Sequence, residues 1–180
     1  MLPSTMASRY RALLLTTATV LFVAPASAER VDRVESVLGE RVVTTSDLAL
    51  EQVLSVRDPS LVPALTRATL QALEDQRRIR GYAGDVRLYQ PSRRALEARQ
   101  ATLRRTFDAP GEWEEFLTDW GLSEEAIQAL LLNRLVVETT VLRTLGVPTP
   151  ETESAWLARY EAWLVSLREA QAPHRPEALE

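Results

Sequence analysis

The chain has no cysteine and no lysine, and its one histidine, His174, stands between Pro173 and Pro176. Without cysteine there is no disulfide framework, no lipid attachment at a leader junction and no thiolate chemistry, so stability has to come from a packed core. A single histidine removes most nucleophile–base pairs and most zinc sites. Glycine occurs only six times, and no glycine-rich run is available to cradle a phosphate. Each of the 21 Lys/Arg positions is arginine. These arginines are scattered along several segments, which marks a compositional bias rather than a binding device.

The first thirty residues hold the longest apolar run. Arg9 and Arg11 precede a mostly apolar stretch from Ala12 to Ala24, followed by Pro25 and the small residues Ala26, Ser27 and Ala28. That order reads as a secretory signal peptide over residues 1–28 with cleavage before Glu29. The run is shorter than the roughly 20 residues a spanning helix needs, so no stable membrane insertion is expected after cleavage. Without those 28 residues, 152 remain, the size of one domain. The net charge of −4 becomes about −6 when Arg9 and Arg11 are lost. An acidic exported chain is not expected to bind nucleic acid.

The segment Val34 to Val43 carries two short β-branched runs around Gly39-Glu40 and predicts a hairpin. Thr45, Ser46 and Asp47 supply a cap and an acidic first turn for a helix to about Val56, and Asp58-Pro59 and Pro63 break the chain after it. From Leu61 to about Ala83 one helix is expected, with Leu65, Ala68, Ala72, Leu73 and Ile79 at helical spacing and Gly81 and Gly84 closing it. Pro91-Ser92 starts a further helix whose apolar side is Leu96, Leu103 and Phe107, and a shorter one carries Trp113, Phe116, Leu117 and Trp120 before Gly121. Ser123 caps the strongest helix, which presents Ile127, Leu130, Leu131, Leu135, Val141, Leu142 and Leu145 and stops at Gly146. Thr149-Pro150 begins the last helix. Residues 29–172 are thus expected to form one domain, followed by a disordered tail over 173–180. The expected fold is mainly α, a compact helical bundle with a small N-terminal β-hairpin, closed by the C-terminal helix.

Few side chains offer chemistry. The acid pairs Glu114-Glu115 and Glu124-Glu125 fall in first turns, where compensation of the helix dipole explains them, and neighbours on a helix do not face each other. No active site, metal site or cofactor is expected. The aromatic positions remain. Trp113, Phe116 and Trp120 at helical spacing are most simply core, the alternative being a ligand surface. Trp156, Tyr160, Trp163 and Leu167 share one side of the last helix. Each aromatic ring removes roughly 150–250 Å² from water on burial, worth about 4–6 kcal/mol. A lone helix of this length is also marginal in water, so this one has to dock on the domain or on a partner.

Together the leader, "VDRVESVLGERVVTTSDLAL", "ALTRATLQALEDQRRI" and "WEEFLTDWGLSEEAIQALLLNRLVVETTVLR" resemble the N-terminal domain of SurA-type periplasmic chaperones. The resemblance rests on Val34, Val37, Val42, Val43, Ser46 and Asp47, then on Phe116, Leu117, Gly121, Leu131, Arg134 and Leu135, and covers about Val31 to Leu145. Members of that family continue into parvulin-type prolyl isomerase domains of roughly a hundred residues before a closing helix returns to the N-terminal domain. Here about 35 residues follow Leu145, too few for such a domain, and "SAW" with Leu157, Tyr160, Trp163, Leu164 and Leu167 resembles the closing helix.

The resemblance implies a periplasmic, ATP-independent chaperone-like module for unfolded or partly folded exported polypeptides, such as outer-membrane protein precursors, without isomerase activity. Its peptide-binding cleft would be lined by Trp113, Phe116, Leu117 and Trp120. The alternative is an adaptor or structural subunit that binds one folded partner or itself. In either case, truncation after Leu145 should unfold or aggregate the remainder; an unchanged melting temperature would show that the last helix lies outside the core.

Overall fold

The computed structural model describes residues 32–38 and 41–171. The expected signal peptide (1–28), the Gly39-Glu40 turn and the tail (173–180) lie outside the described residues. Within them the chain forms β1 (Val34–Leu38), β2 (Arg41–Thr44), α1 (Thr45–Arg57), α2 (Pro63–Thr66), α3 (Leu70–Ala83), a 3-10 turn at Arg87–Tyr89, α4 (Arg93–Arg104), α5 (Glu112–Asp119), α6 (Glu124–Leu145) and α7 (Glu153–Ala170). The fold is mainly helical with one two-stranded antiparallel hairpin. Val37 pairs with Val42 and Ser36 with Val43, with an irregular register between Val34 and Ser36. Because paired residues share a face, Val43 is buried while Val37 and Val42 look outward.

Thr44, one residue earlier than expected, caps α1: its hydroxyl accepts from the Asp47 amide at 3.3 Å, and the Asp47 carboxylate accepts from the Thr44 amide at 3.1 Å. The single helix expected over Leu61–Ala83 is two helices. Arg67 is extended, and Thr69 caps α3 by accepting from the Ala72 amide. The Ala64 and Leu65 carbonyls, which a continuous helix would have bonded to amides four residues on, instead accept from the side chains of Gln76 at 2.7 Å and Arg134 at 3.2 Å. Gly81 lies inside α3, and Gly84 ends it. Phe107 falls beyond α4. The last helix starts at Glu153, because Thr149 and Thr152 close a turn around Pro150 first.

Two apolar clusters form the core, and α6 serves both. Ile127 and Leu131, in its first half, pack with Leu54, Leu103, Trp113 and Phe116; Val137 and Val141, in its second half, pack with Val62, Ala64, Leu65, Ile79 and the α7 residues Trp156, Tyr160, Leu164 and Leu167. The buried stripe of α6 is therefore Ile127, Leu131, Arg134, Val136, Val137, Thr140 and Val141. Leu130, Leu135, Leu142 and Leu145 sit at its partly exposed margins.

The C-terminal helix closes the bundle. Trp156 is 1 % exposed, its ring stacks on Tyr160 at 5.5 Å and 5°, and its indole N–H donates to the Gly146 carbonyl at 2.7 Å. Burial first, then the charge of Asp75, pushes the Tyr160 phenol far above its ordinary range, so the ring stays neutral. Near the end of α7, Arg168 grips the buried carboxylate of Asp75 with two bonds, at 3.1 and 2.7 Å. Trp163 is half-buried and meets Tyr82 edge-on at 5.7 Å. Gly146 holds φ 81°, ψ 173°, a conformation open to glycine alone, and this aims its carbonyl at Trp156. Trp156→Ala should cost about 3–5 kcal/mol and Gly146→Ala about 1–3 kcal/mol in urea unfolding. A Trp156→Ala midpoint equal to that of the parent protein would contradict this account of the closure.

Candidate functional site

Of the aromatic set, Trp113 and Phe116 follow the core reading rather than the alternative of a ligand surface. Trp113 and Phe116 are 4 % and 6 % exposed and belong to the interior, while Leu117 and Trp120 are partly buried against the same cluster. The reason is local: α5 is eight residues long and turns Trp113 and Phe116, one turn apart, onto Leu54, Leu103, Ile127 and Leu131. Phe107 covers them with ring distances of 5.2 and 5.0 Å, and the Arg57 guanidinium lies 4.0 Å over Phe107. The indole N–H of Trp113 donates to Glu124 at 3.0 Å, so one of the acids at the start of α6 ties α5 down as well as facing the helix dipole.

An open cleft of about 590 Å³ lies elsewhere, between α1, α3 and α6. Leu50 and Leu54 of α1, Leu73 of α3, and Leu130 and Val137 of α6 supply its apolar surface. Arg77, Arg80 and Arg134 bring positive charge to it, and Asp47, Glu51 and Asp85 bring an equal number of carboxylates. The rim cations are engaged. Arg77 bonds Asp47 at 2.7 Å and also donates to the Val42 carbonyl, linking the hairpin to the cleft wall; Arg80 donates to Asn133 at 3.2 Å and to the Gly84 carbonyl at 2.7 Å. Gly81 and Gly84 place no side chain at that end.

Beneath the cleft lies an ionic cluster. Arg134, 3 % exposed, donates to the Asp58 carboxylate at 3.0 Å, to the Asp58 and Leu65 carbonyls at 3.1 and 3.2 Å, and to Glu51. Gln76 donates to Glu51 at 2.8 Å. From α4, Arg99 pairs with Asp58 and, at 3.3 Å, with Glu138. Burial raises the Glu51 carboxyl above its ordinary value of 4.5; Arg134 and Gln76 pull against that shift, and Asp58 adds to it. Among the described residues no group of three or more His, Cys, Asp or Glu is placed to hold a metal ion, and no helix is long and apolar enough to cross a membrane. The cleft offers apolar contact and hydrogen bonds of both polarities.

No family model, no curated protein and no solved structure matches the chain.

The sequence carried a signal for this site that the aromatic reading passed over. Arg134 stands three residues after Leu131 and three before Val137, and Glu51 three before Leu54, each charge inside an apolar stripe. A charge at such a position is either exposed by a change of face or buried with a partner. Arg134→Leu would leave Glu51 and Asp58 without their shared cation and should cost about 3–5 kcal/mol. Adding Glu51→Leu should recover part of that loss, and strictly additive losses in urea unfolding would disprove the pairing.

Proposed function

We propose that the protein is an ATP-independent, chaperone-like module of the periplasm that holds unfolded exported polypeptides, outer-membrane protein precursors among them, and has no prolyl isomerase activity. The observation that carries the reading is the open cleft over α1, α3 and α6, with an apolar surface and balanced charge. A neutral, extended backbone suits such a surface better than an anion or a cation does, since it brings donors, acceptors and apolar side chains and no net charge to desolvate. The outward valines of the hairpin, tied to the cleft wall through Arg77, add apolar surface to which an extended chain can adhere. The leader-like first 28 residues and the likeness of the hairpin, the α5–α6 block and the closing helix to SurA-type N-terminal domains support the same reading. Client contact moves from the buried Trp113 and Phe116 to the cleft. Binding is expected to be weak and tolerant of sequence, because an extended client loses chain entropy when held.

Asn133 is exposed on α6 at the cleft wall and, among the described residues, its side chain bonds only Arg80, so Asn133→Trp should fill the cleft while leaving the core intact. The parent protein at near-stoichiometric ratio should slow the light scattering of a porin diluted from urea. The variant should bind an uncharged, blocked heptapeptide of alternating valine, threonine and tyrosine about tenfold or more weakly in fluorescence anisotropy, a loss of about 1.4 kcal/mol. Equal protection by both proteins would remove the cleft from the proposal. A parent protein that protects no client and co-purifies with one folded protein would replace the chaperone reading with that of an adaptor.

A further inference from the structure

Glu51 does more in this geometry than neutralise Arg134. Both hydrogen bonds its side chain accepts from the described residues, from Gln76 at 2.8 Å and from Arg134, land on Oε1. Glu51 also lines the cleft, and the second oxygen, Oε2, is the one left for a ligand there. The surrounding charge does not balance locally. Within the cluster, the carboxylates of Glu51, Asp58 and Glu138 share two guanidiniums, Arg99 and Arg134.

We infer that Glu51 is a ligand-contacting residue of the cleft that works in its protonated form, so that the cleft holds an extended polypeptide more tightly as pH falls. This rests on the cleft being a polypeptide site. A proton on Oε2 removes the excess carboxylate charge and leaves both bonds to Oε1 in place. It also turns the floor of the cleft from an acceptor, which repels peptide carbonyls, into a donor that can bond one.

The groups facing Glu51 permit this. From α1 and its end, Asp47 is held by Arg77 and Asp58 by Arg134 and Arg99. From α3, Gln76 donates, while Arg77 and Arg80 are engaged at the rim; α2 presents only carbonyls. From α6 come Arg134 and, through Arg99, Glu138. Asp85 completes the rim beyond α3.

The sign follows from the raised Glu51 carboxyl. The folded protein takes up this proton at a pH where the unfolded chain is still ionised, so Glu51's contribution to stability grows as pH falls through the folded value and stops growing below about 4.5. Binding of the same blocked heptapeptide, in which no group titrates over this range, is to be measured at pH 7.5 and 4.5 for the parent and Glu51→Gln. Urea unfolding over that range and ¹³C carboxyl titration of the parent protein accompany it.

The parent should bind more tightly at pH 4.5, by up to about three- to tenfold, the size of one net hydrogen bond. Glu51→Gln should bind tightly at both pH values and lose the corresponding slope in stability. A pH dependence of binding that persists in Glu51→Gln, or a Glu51 carboxyl that titrates at or below 4.5, overturns the inference while leaving the cleft assignment standing. If neither protein binds the peptide at either pH, the cleft reading falls and this inference falls with it.

Discussion

A guanidinium has been placed where an apolar side chain would ordinarily sit. Arg134 occupies the middle of the buried stripe of α6, between the residues that enter one apolar cluster and those that enter the other. Desolvating that charge is tolerable because every direction it points in offers an oxygen: Glu51 and Asp58 from α1 and its end, the Asp58 carbonyl, and Leu65 from α2. The arrangement has consequences far from Arg134. It takes a carbonyl that would have continued α2 into α3, it orients Glu51 and Gln76 beneath the cleft, and, through Asp58 and Arg99, it brings α4 into the same cluster. A leucine at this position could fill the space, but it would specify none of those directions.

The closing helix solves a different problem with different chemistry. Its contact with the body is mostly apolar, with Trp156 and Tyr160 stacked and buried, and the polar bonds stand at its two ends, Trp156 to Gly146 and Arg168 to Asp75. Apolar burial is non-directional, so the terminal bonds are what set the position of the helix along its groove.

Much of this was legible in the sequence where local rules and tertiary demands agree. The hairpin, the capped starts of α1 and α6, the glycine stop at Gly146 and the inward face of α7 follow from periodicity and cap chemistry, and the structure carries them. Sequence reasoning failed where a side chain far along the chain competes for a backbone group. Nothing near Leu65 announces that Arg134 will take its carbonyl, 69 residues away, and so the break between α2 and α3 could not be read locally. The candidate site was hard to read for a related reason. Aromatic residues at helical spacing mark burial and surface alike, and Trp113 and Phe116 are interior, as their simpler reading had it, while the cleft is made mainly by residues from α1, α3 and α6 that share no motif.

The pairing of Asp75 with Arg168 joins positions 93 apart, and this has a bearing on the order in which the molecule can assemble. As the chain emerges from the ribosome, every buried member of the cluster around Trp113, from Leu54 to Leu131, is present well before α7 exists. The other cluster waits for the final helix, which meets α6 across a short connection but reaches Val62, Ala64, Leu65 and Ile79 only by closing a far longer stretch of chain, at a cost in entropy. Until then Val62, Ala64, Leu65 and Ile79 lack their cover, so a nascent form of this protein carries an apolar surface that only its own last helix removes.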